Sequence, residues 1–189
     1  METQIKYSRD ARTGLVKGIN KLADAVVSTL GPNGRNVVIF KGVGAPPQST
    51  KDGVTVAKSV ILNDPSEELG VTLIKQAAVK TADKAGDGTT TSTLLARDMI
   101  VNGLDALNNN ENAVQIKRDI DKTVQSVIKN LKKNISEDIS EESQLEQIAT
   151  VSSNNDVETG KLIAQAIDKV GLEGVVHIEE SKTGDTYLE

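Results

Sequence analysis

The sequence has no cysteine, no tryptophan, a single histidine and only 2% aromatic residues, namely Tyr7, Phe40 and Tyr187. Without cysteine there is neither a disulfide framework nor a thiolate nucleophile, and zinc would have to be held by His177 and carboxylates. Without aromatics, the 37% of residues that are hydrophobic must build any core from Ala, Val, Ile and Leu, which suits closely packed helices. An excess of positive charge is also missing: 22 basic against 27 acidic residues leave a net charge of −5 with the signs interspersed. A basic groove for nucleic acid is therefore not expected. No stretch approaches the ~20 consecutive apolar residues of a membrane span, and residues 1 to 7 hold no apolar run of signal-peptide length. A soluble, cytoplasmic chain is expected, with no membrane partner.

What is present is helical periodicity. Ala11, Leu15, Ile19, Leu22, Ala23, Val26 and Val27 predict a helix over 9–29, stopped by Gly31-Pro32. Asn33-Gly34 is a turn signal. Val37 to Phe40 and Val54 to Ala57 read as short strands, a hairpin-like excursion that two strands alone would not stabilise and that wants a partner strand. Asp64-Pro65-Ser66-Glu67 is a helix start, with a capping aspartate, proline at the first position and glutamate three residues after the cap. Its helix should run to Gly86 with Leu73, Ile74, Ala77, Ala78, Ala82 and Ala85 on one face. Further helices are expected over 89–107, with Leu94, Leu95, Met99 and Leu104 inward, and over 113–133, with Ile116, Ile120, Val124, Val127, Ile128 and Leu131 on one stripe. The polar stretch 134–143 reads as a boundary. Two shorter helices near 143–149 and 156–170 follow it, and then a strand at Val175 to Ile178.

The segment richest in chemistry is Ala85-Gly86-Asp87-Gly88-Thr89-Thr90-Thr91. Glycines let backbone approach a ligand, and the threonines open a helix whose first N–H groups lack intrahelical partners. The positive end of the helix dipole points at the same spot, which makes a phosphate cradle. Asp87 there offers the hard oxygen that Mg2+ prefers. The competing reading is that Asp87 or Thr89 merely caps the helix. Thr29-Leu30-Gly31-Pro32 and Lys51-Asp52-Gly53 read first as a helix stop and a tight turn, yet these loops and the first could meet around one nucleotide. The spacing of a Walker A loop is absent. His177, lone in an apolar run, receives no role, and no Ser-His-Asp set can be assembled.

Taken in order and spacing, Thr29 to Val38, Gly44-Ala45-Pro46, Thr50 to Val54, Ala85 to Thr91, Lys117 to Lys122, Gly160 to Ala164 and Asp168 to Gly171 resemble the N-terminal half of GroEL-type, group I chaperonins. One extra residue lies between Ala45-Pro46 and Lys51. The resemblance implies a mainly α fold with small β elements. Residues 1–136 would be the N-terminal portion of a multihelical equatorial ATP-binding domain, and 137–189 the first limb of an α/β intermediate hinge domain.

It also implies an ATPase that drives protein folding in a homo-oligomeric, heptameric ring. Thr29, Leu30, Gly31 and Pro32 would wall the nucleotide, and Lys51 would lie beside its phosphates. Asp87 would hold Mg2+, with Gly88, Thr89, Thr90 and Thr91 on the phosphates and Val151 and Ser152 near the base or phosphates. Asp52 resembles a carboxylate implicated in hydrolysis, and main-chain oxygens near Thr29, Lys51 and Thr90 would take K+. The 36–58 excursion resembles a stem-loop that pairs with a neighbouring subunit. The surfaces for unfolded clients and a co-chaperonin, the second limb of the hinge with its catalytic aspartate and the rest of the equatorial domain belong to regions beyond this sequence, so little or no hydrolysis is expected of this segment alone. The alternative is a non-hydrolysing assembly fragment.

Overall fold

Helix α1, Ser8–Val27, buries Ile19, Leu22, Ala23 and Val26, four aliphatic residues on one helical stripe. In the computed structural model, which describes residues 5–171, 174–179, 181, 184 and 186–189, this stripe is the centre of the first of two compact units, Met1–Lys122 and Thr123–Glu189. The core is completed by Val56 and Ala57 of α2, Gly53–Ser59, and by Val71, Ile74 and Ala78 of α3, Pro65–Ala85. Ala96 and Ile100 of α4, Thr89–Asn108, pack against it. Tyr7, Phe40 and Tyr187 are all exposed, so the core is aliphatic throughout, as the composition requires.

Small residues set how closely α1 and α3 approach. A Cβ on Gly18 would lie 1.8 Å from the Glu67 carbonyl oxygen, and one on Gly70 would lie 2.2 Å from that of Leu15. Backbone meets backbone at both crossings, which only glycine permits. Asp64 caps α3 by accepting from the N–H groups of Ser66 and Glu67 at 2.8 and 3.1 Å. Glu67, three residues after that cap, pairs with Lys21 of α1, and Glu68 accepts from the Leu62 N–H. The inward face of α3 runs Gly70, Val71, Ile74, Ala78, whereas Leu73, expected inside, is exposed. In α4 the inward residues are Thr89, Thr93, Ala96 and Ile100, so the expected Leu95 and Met99 lie outside, one step round the helix.

The excursion after α1 differs most from expectation. β1, Val37–Ile39, pairs antiparallel with β2, Gln48–Thr50, in the register Val37 to Thr50, Val38 to Ser49 and Ile39 to Gln48. The expected second strand at Val54 to Ala57 is instead inside α2. Asp52 caps that helix through the Val54 and Thr55 N–H groups, and Gly53, Val56 and Ala57 are buried at helical spacing. Burial against the core overrides the β preference of Val-Thr-Val.

α5, Ala113–Asn134, contributes residues to both units, and Val124, Val127, Ile128 and Leu131 on its stripe are exposed. The second unit is built on α6, Glu142–Ser152, and α7, Val157–Val170, with Ala149, Ala164 and Ala166 buried. Gly160 lies against Thr150, where a Cβ would come within 2.1 Å of the hydroxyl. The expected strand at Val175 to Ile178 is not formed: no described residue pairs with it, and Val175 and Ile178 are 79% and 80% exposed. An extended run needs a second strand to take up its N–H and C=O groups. Among the described residues no helix is long and apolar enough to cross a membrane.

Candidate functional site

Three loops of the first unit meet at the N-terminus of α4. α3 ends on Gly86 at φ 75°, and Gly88, the residue before α4, sits at φ 79°. Both values lie in the left-handed region that glycine enters freely, so the Gly-Asp-Gly sequence is what turns one helix into the next. The N-cap residue of α4 is Gly88, which has no side chain of its own to cap the helix. Asp87 accepts from the N–H of this N-cap residue at 2.6 Å. Thr89 is the first residue of the helix and not its N-cap, and the first-turn N–H groups of α4 have no intrahelical acceptor.

The second loop follows α1. It leaves at Ser28 and returns at Arg35, whose N–H donates to the Ser28 carbonyl at 2.8 Å, enclosing Thr29 to Gly34. Thr29 is buried and donates its hydroxyl to the Val26 carbonyl at 2.7 Å. Its Oγ1 lies 3.2 Å from Thr90 Oγ1. Because the Thr29 hydrogen is taken by Val26, the Thr90 hydroxyl donates across this contact. Gly31 stands at φ 73°, and Leu30, Gly31 and Pro32 are exposed.

The third loop carries Lys51, Asp52 and Gly53 between β2 and α2. Gly53 is buried against the start of α4, where a Cβ would stand 2.3 Å from Thr90 Oγ1 and 2.9 Å from Thr89 Oγ1. From sequence Gly53 is expected only as part of a tight turn, with no contact of its own at the site. A glycine directly after a capping aspartate is the signal that could have found it. Lys51 and Asp52 are exposed on the same connection, and Asp52 also accepts from the Thr55 hydroxyl.

Thus Thr29, Gly53, Thr89 and Thr90 are brought into contact, and Leu30, Gly31, Pro32, Lys51, Asp52, Asp87, Gly88 and Thr91 border them by chain connection. Two helix N-termini, those of α2 and α4, face one junction. The α2 end holds the carboxylate of Asp52 on its Val54 and Thr55 N–H groups, and the α4 end has Asp87 on the Gly88 N–H; the first-turn N–H groups of α4 are what an anionic ligand would meet there. A lysine and two aspartates beside it suit a phosphate chain and its counter-cation. Val151 and Ser152 lie exposed at the end of α6 in the second unit, and the convergence concerns the first unit alone.

Among the described residues two carboxylates are held clearly low. Asp64 is held below the usual carboxylate range by the N–H groups of Glu67 and Ser66, and Asp156 by the N–H and hydroxyl of Thr159. Asp64 is the N-cap of α3 and Asp156 that of α7, so neither belongs to the three loops of the junction.

Residues 22–188 match the family model described as the TCP-1/cpn60 chaperonin family. Two crystal structures of the chaperonin gp146 from bacteriophage EL 2 (Pseudomonas aeruginosa) in the presence of ATP-BeFx share 34% sequence identity with this chain, each with a TM-score of 0.70. They are matched over 88% and 86% of it. A group III chaperonin in the open state matches 85% of the chain at 18% identity and a TM-score of 0.68, a likeness of fold. The chain spans 29% of the phage chaperonin's length and 32% of the group III chaperonin's.

Proposed function

The chain belongs to the TCP-1/cpn60 chaperonin family, and on that premise we propose that it is the N-terminal part of a group I, GroEL-type subunit that binds and hydrolyses ATP to drive protein folding. The observation that carries this reading is the junction of Thr29, Gly53, Thr89 and Thr90, which joins three loops distant in sequence at the N-terminus of α4. Residues 1–136 form the first portion of the equatorial ATP-binding domain and 137–189 the first limb of the intermediate hinge. The phosphates lie on Gly88 to Thr91 and beside Lys51, with Thr29 to Pro32 walling the nucleotide and Val151 and Ser152 near it. Asp87 ligates Mg2+, and Asp52 assists hydrolysis from its position at the α2 cap. K+ is held by main-chain oxygens near Thr29, Lys51 and Thr90.

Mg2+, when bound, neutralises charge developing on the transferred phosphoryl group; the chain's own part is to fix the triphosphate against α4 and to offer carboxylate oxygens. The complete subunit assembles as a cytoplasmic, heptameric homo-oligomeric ring. Its client and co-chaperonin surfaces lie in the remaining length of the protein. The β1–β2 hairpin, with Val38 and Phe40 exposed, is the edge that pairs with a neighbouring subunit.

The test is Asp87→Ala in the complete subunit. Losing a metal ligand worth several kcal/mol to the transition state lowers turnover about 100-fold or more. Unchanged ATP turnover would instead favour a non-hydrolysing assembly subunit.

A further inference from the structure

The loop that carries Thr29 also holds Asn33-Gly34, and Asn102-Gly103 is the other Asn-Gly pair of the sequence. Glycine after asparagine removes the Cβ that shields the backbone nitrogen, and that nitrogen can then reach the asparagine side-chain carbon. Both asparagines are exposed, so exposure does not separate them. Backbone does. Asn102-Gly103 lies inside the hydrogen-bond ladder of α4, where the next amide is held in register with its neighbours on both sides. Asn33 lies in a turn; the Gly34 N–H donates one hydrogen bond, 2.9 Å to the Gly31 carbonyl, and Gly34 packs on the Thr29 carbonyl, which a Cβ there would approach to 2.1 Å. The far side of that turn is open: nothing lies within 4 Å of where a Gly31 Cβ would be.

We propose that Asn33 is a site of spontaneous deamidation in the folded chain. On loss of its hydrogen bond to Gly31, the Gly34 nitrogen gives up its proton to water and bonds to Asn33 Cγ. The Cγ–Nδ2 bond breaks, and Nδ2 takes up a proton and leaves as ammonia. Water then opens the resulting five-membered imide at either carbonyl, producing aspartate or isoaspartate. No electron is transferred, and one negative charge is added to the loop. Its consequence, repulsion of phosphate beside Thr29, rests on the nucleotide reading above; the modification itself does not.

The experiment follows both pairs by peptide mass spectrometry during incubation of the full chain at mildly alkaline pH without nucleotide, once folded and once unfolded in guanidinium. In the unfolded chain both asparagines react at similar rates. In the folded chain Asn33 reacts at least about tenfold faster than Asn102, because openings of a surface loop are far more frequent than those of a helix interior. Asn33→Gln removes the signal at that peptide and leaves Asn102 as it was. Equal folded-state rates at the two positions, or an Asn33 that is silent when folded, would overturn the proposal. Since no nucleotide is present, failure of the ATP reading leaves this result untouched.

Discussion

Gly53 and Asp52 are adjacent but answer to different physics. A methyl group on Gly53 must displace the Thr90 and Thr89 hydroxyls that lie 2.3 and 2.9 Å from its Cβ position. Overpacking of this kind costs about 1–3 kcal/mol, so Gly53→Ala lowers the thermal midpoint of unfolding and weakens Mg-ATP binding together. A normal midpoint and normal affinity would show that α2 can retreat without consequence. Asp52 both caps α2 and stands by the proposed phosphates. Asp52→Ala removes the cap at a cost of about 1 kcal/mol, whereas Asp52→Asn keeps a capping acceptor. If the carboxylate acts in hydrolysis, Asp52→Asn in the complete subunit retains stability and loses turnover; equal turnover in Asn and wild type would reduce the residue to a cap. At this scale the Gly-Asp-Gly-Thr-Thr-Thr turn was legible because its composition states its geometry. The close packing of Gly53 was not, since a single glycine reveals its need for space only when its neighbour, Thr90, is known.

Elements were legible where a local signal and the tertiary environment agree. Asp64-Pro65 starts α3 where the capping residues predict, and α1, α4, α5 and α7 fall close to their apolar periodicities. α2 escaped because Val54-Thr55-Val56 has β character, while Asp52 and the core residues Val56 and Ala57 favour a helix. β2 escaped for the opposite reason: Gln48-Ser49-Thr50 carries no apolar alternation and is a strand only through pairing with β1. The caps also make a pH prediction. Asp64 and Asp156 have folded pKa values below the unfolded value of about 3.9, so their stabilisation is complete above about pH 4 and is lost as pH falls through the folded values. The double variant Asp64→Asn, Asp156→Asn retains neutral acceptors. Helix content followed by circular dichroism should therefore fall less steeply with acid than in the wild type. Superimposable acid curves would remove the caps from the account. The α1–α3 crossing is less tolerant still. Gly18→Ala places a Cβ 1.8 Å from the Glu67 carbonyl, and a chain that kept its wild-type melting temperature would contradict the close packing described.

At the scale of the molecule, a sequence poor in aromatics yields an aliphatic helical unit, and the proposed site lies on its loops and not in its core. The family was legible from spaced loop motifs because backbone turns around a ligand constrain sequence more sharply than helix packing does. The strand expected at Val175 to Ile178 shows the reverse: a strand exists only where another pairs with it. The central claim is that residues 28–35, 51–55 and 86–92 form one seat for Mg-triphosphate. It is tested most directly by titrating Mg-ATP into the isotopically labelled chain and following its backbone amides by NMR. The account predicts that amides in all three segments shift together on one saturable curve, with those of Thr89 to Thr91 moving most and the effect lost when Mg2+ is chelated. Saturable shifts confined to one segment, or none in any of the three, would contradict it.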